Sequence, residues 1–212
     1  IKVFWILPNM INLFNGFSID RRNFLDSMIS ILDYSHHENI LLYNKLQRER
    51  LRVLKSQYNS EDVTKWLDTI EKKIVPLGVI ICDARRKFIL RVNEHSLEKN
   101  SKLPVLKLIL TGEIDTDLSK SPALSVEEKF LEKLKNNREK DLIIGKTHYG
   151  INKTDLEVMN LSHSNVASNS STGEQKIILI SIVFLFLQII KQTKSMNIIF
   201  LLDDIFAHLD KS

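Results

Sequence analysis

Thiol chemistry is nearly absent from this chain: one cysteine, Cys82, stands in 212 residues. That excludes a disulfide framework and suits a reducing cytosol, so a cytoplasmic location is expected. No apolar run is long enough to span a membrane. The longest, Ile177 to Ile190, is interrupted only by Ser181 and Gln188, but a span needs ~20 such residues and shorter runs are core helices. The N-terminus, Ile1-Lys2-Val3-Phe4-Trp5, lacks the basic start and small-residue cleavage site of a signal peptide. It also lacks an initiator Met, so we read the chain as beginning partway through a longer one. A phosphate-binding P-loop is excluded as well. Gly145-Lys146-Thr147 looks like the end of one, but the loop needs a glycine five residues before its Gly-Lys pair. Lys140 stands at that position, with apolar Leu142-Ile143-Ile144 after it.

What is present is globular. A chain 43% hydrophobic and 26% charged can bury a core, which argues against disorder. Its length allows one large domain or two small ones. The net charge of +4 and pI near 9.0 allow a nucleic-acid partner without requiring one.

Taken in order, Val3 to Leu7 reads as a strand stopped by Pro8-Asn9. Ser18 then caps a helix through Asp33, with Phe24, Leu25, Met28, Ile29 and Leu32 on one stripe. A second helix covers about Glu38 to Tyr58, with Leu42, Tyr43, Leu46, Leu51 and Leu54 inward and Arg48, Arg50, Arg52 and Lys55 on or near the remaining surface. A third starts at Ser60-Glu61-Asp62 and is interrupted by Pro76 and Gly78. Helical period resumes from Val79 to about Leu97, beside the basic Arg85, Arg86, Lys87 and Arg91. Helices without glycine-rich loops between them form one antiparallel arm. Val105–Leu110 is a strand, Ser119–Pro122 a loop, and Val126 to about Lys140 an amphipathic helix with Phe130, Leu131 and Leu134 inward. The segment from Leu142 to Met159 reads as a hairpin turning around Gly150-Ile151-Asn152.

The last third carries the chemistry. Ser171 with Glu174 three residues on is the sequence form of a capping box. Gly173 leaves room for another group at that helix N-terminus, where free N–H donors and the dipole favour phosphate. The apolar helix follows, and then Ile198-Ile199-Phe200-Leu201-Leu202, a run expected to be a strand buried on both faces of a parallel sheet. Ligands sit beyond the carboxyl ends of such strands. Asp203 and Asp204 fall there, a pair of acids able to hold Mg²⁺ and polarise a water.

In this order, the segment Ser171–Asp210 resembles the signature, Walker B and D-loop set of ABC-type ATPases, specifically the RecF family, which is related to the SMC proteins. Ile19-Asp20-Arg21-Arg22-Asn23-Phe24-Leu25-Asp26 matches that family's Arg-rich helix, and Gly145, Thr147, Gly150, Lys153 and Asp155 match a further segment, in which Asn152 replaces the family's His. The resemblance implies an α/β fold: part of an ABC-type P-loop ATPase core with an inserted antiparallel helical arm. Residues 1–17 would end a core strand region, 18–100 form the arm, 101–170 a mixed strand and helix segment with the hairpin, and 171–212 the signature, Walker B and D-loop part. The family's Walker A lobe would lie upstream of Ile1 and its last strands beyond Ser212. Taken alone, the chain would then leave apolar faces of the Ile198–Leu202 strand exposed and fold marginally.

By the same resemblance the cofactors are ATP and Mg²⁺. Ser171, Thr172, Gly173 and Glu174 would meet nucleotide bound by a second subunit, Asp203 would serve Mg²⁺, Asp204 would act on the attacking water, and Leu209 and Asp210 would form the D-loop. The implied role is ATP-dependent binding of single-stranded or gapped DNA in recombinational repair and the SOS response, as an ATP-dependent homodimer working with recombination-mediator proteins and without a membrane. In this truncated form the ATPase would be inactive. Arg48, Arg52, Arg85 and Arg86 are the candidate DNA contacts. Two other readings stand beside this one. One is a module whose basic arm binds DNA or a partner without ATP; the other is a Mg²⁺ nuclease or phosphatase built on the two acids.

Overall fold

The computed structural model describes residues 2–6, 10, 12–56, 61–97, 103–193 and 198–202. Its elements run β1 (Lys2–Ile6), α1 (Ser18–Leu32), α2 (Tyr34–Lys55), α3 (Glu61–Ser96), β2 (Leu106–Thr111), α4 (Glu113–Leu118), α5 (Ala123–Asn136), α6 (Arg138–Ile144), β3 (Asp155–Asn160), β4 (Asn165–Val166), α7 (Thr172–Gln192) and β5 (Ile198–Leu202). They divide into two compact units, one of residues 1–33, 86–110 and 155–212, the other of residues 34–85 and 111–154.

In the first unit β1 and β5 pair in parallel, with Phe4 opposite Phe200. A second sheet has the order β2-β3-β4, with β3 and β4 antiparallel. Phenylalanines hold β1 and β5 to the helices. The Phe4 ring lies 5.4 Å from Phe186 of α7, 5.6 Å from Phe200 and 6.3 Å from Phe24 of α1, spacings at which aromatic pairs add to their area burial. Leu179, Ile182, Phe186 and Ile189 of α7 are buried in the same unit. Helix α7 is long and apolar enough to cross a membrane, but more than half of its most apolar window is buried inside the protein. It is a core helix.

β5 is half-buried on the face of Ile198 and Phe200 and exposed on the other. Ile199 and Leu201 are 48% and 39% exposed, and Val3 and Trp5 of β1 are exposed beside them. This agrees with the expectation that the chain taken alone leaves apolar faces of this strand exposed, and differs from the burial on both faces expected within a complete parallel sheet. Among the described residues β1 is the one strand paired with β5, and no layer covers the odd-numbered side chains.

The second unit is a helical packing of α2, the first part of α3, α4, α5 and α6. Tyr43, Leu46, Val53 and Leu54 of α2 face Leu67, Ile70, Ile74 and Val79 of α3 and Val126, Phe130 and Leu134 of α5 in one apolar cluster. Four local expectations change. Phe17, not Ser18, takes the N-cap position of α1, without a side-chain cap. α3 runs unbroken through Pro76. Proline removes one helical hydrogen bond, but Ile74, Val75, Val79 and Ile81 are buried around it, and tertiary packing outweighs the local loss. Leu142-Ile143-Ile144 end α6 rather than form a strand, because Gly145 adopts φ 71° at the helix C-cap and returns its amide to the Asp141 carbonyl. The hairpin is instead β3–β4, with Met159 opposite Val166 and Asn160 opposite Asn165.

Candidate functional site

Ser171 caps α7 through both arms of the box. Its amide donates to Glu174 Oε2 at 2.8 Å, and the Glu174 amide donates to Ser171 Oγ at 3.4 Å. These bonds to the Ser171 amide and hydroxyl, helped by nearby His163, hold the Glu174 carboxyl below its ordinary value. Gln175 fixes the approach from inside, buried, with Nε2 donating to the Ser170 carbonyl at 2.9 Å. The four residues 171–174 remain exposed. The amides of Thr172 and Gly173 have no partner among the described residues.

A Cβ built on Gly173 would meet no atom within 4 Å. The chain's own packing therefore does not require glycine there. The helix N-terminus presents donors, a positive dipole end and open space, an arrangement that fits a phosphate group. Beside it lies a groove of about 330 Å³ lined by Leu103, Pro104, Asn160, Ser162, His163, Glu174 and Ile177.

Asp203, Asp204, Leu209 and Asp210 lie outside the described residues. Among the described residues no three His, Cys, Asp or Glu side chains gather to hold a metal.

Two separated motifs of the sequence meet in the first unit. Arg21 of α1 grips Asp155 of β3 bidentately, Nε to Oδ1 and Nη2 to Oδ2, each at 2.8 Å. Its third nitrogen donates to the carbonyls of Gly16, Leu13 and Phe14 at 2.7, 3.2 and 3.3 Å, so one guanidinium ties the loop before α1 to the sheet. Burial pushes the Asp155 carboxyl up, but the Arg21 fork and the Leu156 amide outweigh it and hold the group below its ordinary value.

The basic candidates divide by burial. Arg48 and Arg52 are exposed on α2, and Arg86 is half-buried. Arg85 is 2% exposed, and its Nη1 donates to the Ile151 carbonyl at 3.0 Å. Burial takes Arg85 away from any surface DNA contact, which corrects the sequence expectation. Arg50 is likewise not a surface residue. It is fully buried, with Nε 2.7 Å from Glu71, Nη1 2.7 Å from Asp141 and Nη2 2.7 Å from the Leu134 carbonyl. Arg138 completes this network by pairing with Glu71 and Asp68.

The likeness to known proteins covers the whole chain. It is 34% identical over 211 residues to the DNA replication and repair protein RecF of Brucella abortus (strain 2308), matching 99% of this chain and 54% of the relative. The RecF protein of Mesorhizobium japonicum is 34% identical over 212 residues, with 55% of its length matched. Throughout its length the chain is similar in sequence to RecF proteins. The chain spans about half the length of the curated RecF relatives it matches.

The fold agrees. A solved structure of the recombination mediator protein RecF with ATPrS in the RecFOR pathway superposes with a TM-score of 0.83, covering 99% of this chain and 56% of that one at 21% identity. RecF with ATP in the same pathway gives 0.79. The α/β fold of these RecF structures is therefore the fold of this chain. No protein-family model matches it.

Proposed function

We propose that this chain is the signature-bearing part of a RecF-type DNA replication and repair ATPase, and that it acts by offering residues 171–174 to ATP held on a second copy of the protein. The observation that carries the reading is Gly173: an exposed, capped helix N-terminus whose amides have no partner among the described residues, and whose missing side chain leaves space that no described residue fills. The repair role comes from the RecF relatives, DNA replication and repair proteins, and the nucleotide from the structurally similar RecF proteins with ATP and ATPrS.

In this reading ATP joins two copies in a homodimer. The Thr172 and Gly173 amides meet its terminal phosphate, and Ser171 and Glu174 hold the first turn of α7 in the shape that aims them. Two adjacent carboxylates are hard oxygen donors of the kind Mg²⁺ takes, so Asp203 would hold the ion, which when bound neutralises phosphate charge. Asp204 would orient a water, and Leu209 and Asp210 would relay contact across the dimer. Residues 18–100 form the arm, with 1–17, 101–170 and 171–212 as the parts around it. Dimerisation closes the protein on single-stranded or gapped DNA in the cytoplasm, in recombinational repair and the SOS response, with recombination mediators as partners.

The test uses the gene product at the length its own cells make. With ATP and Mg²⁺ the wild type assembles on gapped DNA, and the G173A protein melts normally but does not assemble. If G173A retains DNA as the wild type does, with or without ATP, the nucleotide reading fails and an ATP-independent binding module replaces it. Cleavage of DNA by Mg²⁺ alone would point instead to a nuclease.

A further inference from the structure

The second unit carries a groove that the nucleotide reading does not use. It holds about 470 Å³ and is lined by Lys45, Arg48, Glu49, Arg52 and Val53 of α2, by Ser56 just after that helix and by Trp66 of α3. Lys45, Arg48 and Arg52 are three and four residues apart, and Lys45, Glu49 and Val53 follow at steps of four, so the lining forms a single stripe along one face of α2. Lys45, Arg48 and Arg52 are all exposed, spaced along the axis by roughly 4.5 and 6 Å at the α-helical rise. Trp66 is 52% exposed. A half-exposed indole offers a face for stacking, and the three cations beside it complement an anion.

We infer that this groove binds single-stranded nucleic acid, with an unpaired base against the Trp66 indole and backbone phosphates on Lys45, Arg48 and Arg52. An aromatic platform flanked by a cationic track is the arrangement that holds single strands without reading their sequence. A duplex keeps its bases stacked on one another and has none to offer the indole. An acidic peptide would satisfy the cations and leave Trp66 exposed. Glu49 in the lining repels phosphate and confines the backbone to the basic side of the stripe. The inference supplies a site for the nucleic acid of the reading above, but it rests on the groove alone and involves no nucleotide.

Trp66 is its own reporter once Trp5 is replaced, since these are the two tryptophans of the chain. In the W5F protein without ATP, a short oligothymidylate quenches Trp66 fluorescence, while a duplex of the same length and polyglutamate do not. W66A weakens oligothymidylate binding roughly 5- to 100-fold, the range seen when a stacking aromatic is removed, and W66F restores most of it. The log–log salt slope is about −2 for three phosphate contacts on a single strand and falls to about −0.7 in R48A/R52A. E49Q binds more tightly. All of these side chains are exposed or half-buried, and far-UV circular dichroism confirms that each variant is folded.

Equal affinity of W66A and wild type overturns the proposal. So does equal quenching by polyglutamate, which would make the groove an acidic-peptide site, or by duplex. If the groove fails these tests while ATP still controls retention on gapped DNA, the proposed function stands and only this site is withdrawn.

Discussion

Removing Arg50 tests how the helical unit is held together. Its guanidinium lies in the interior with no exposure and reaches Glu71, Asp141, the Leu134 carbonyl and, at 3.4 Å, Thr147 Oγ1. Arg50→Met keeps much of the side-chain length and removes the charge. Glu71 then keeps Arg138, and Asp141 keeps the His148 ring and amide, each at 2.8 Å, but two fully buried carboxylates have lost their shared cation. Breaking a buried ion pair from one side costs about 3–5 kcal/mol. With a urea dependence near 2 kcal/mol per molar, that lowers the unfolding midpoint by roughly 1.5–2.5 M.

The assay comes with the protein. Cys82, the sole thiol, is 0% exposed and belongs to the same unit, so its labelling by dithionitrobenzoate across a urea series reads the opening of that unit and no other. Breaking the exposed Glu61–Lys65 pair, with side chains 83% and 69% exposed, is the control, and a surface pair is worth about 0–1 kcal/mol. A shift for R50M no larger than that control refutes the argument. Arg50→Lys should fall between the two, since one ammonium cannot replace a fork that serves three elements.

Three further outcomes follow from the structure. Burial pushes the Cys82 thiol far above its ordinary value, so the folded protein resists iodoacetamide at pH 8 and reacts fully in urea; rapid native labelling would refute it. The Asp155 carboxyl is depressed when folded, so the stability it contributes is present above the ordinary carboxylate value of 3.8 and is lost as pH falls below it through the folded value; D155N should lose less stability than the wild type in that window when thermal melts are followed from pH 5 to pH 2, and an equal loss would refute it. Gly150 sits at φ 147° with the Tyr43 hydroxyl against the place a Cβ would take, so G150A destabilises by about 2 kcal/mol or more, and adding Tyr43→Phe relieves part of it, measured as a double-mutant cycle in urea.

The sequence exposed what local periodicity controls and hid what distant partners decide. Helix α7, its capping box and strands β1 and β5 were legible because each is written within a few residues. Arg50 was not. Its stripe position beside Tyr43, Leu46, Val53 and Leu54 was a signal, but an arginine on an apolar stripe reads as surface until its counterions are known, and these lie 21 and 91 residues away. The Arg21–Asp155 fork joins residues 134 apart, which no window reveals, though both belong to segments matching the RecF pattern. α6 was misread because Ile143 and Ile144 look like strand residues. The glycine after them was the better guide, as a helix stop. Ile143 is 83% exposed on the open side of that last helical turn.

Gly173 shows why the site is easier to separate from the fold than the rest of α7. From Ile178 onward the helix is fixed by burial, and large-to-small changes there cost the core about 2–5 kcal/mol. In the first turn no packing depends on the missing side chain, and alanine is the better helix former by up to about 1 kcal/mol. Selection for stability alone would favour alanine at this position. Under the proposed function this glycine leaves room for a group from outside the chain, and the neighbouring amides, without a partner among the described residues, are the donors for its phosphate. G173A is therefore expected to melt at the same temperature or slightly higher while losing assembly. If G173A instead melts lower, the glycine serves the fold after all, and the case for a nucleotide at this turn loses its main support.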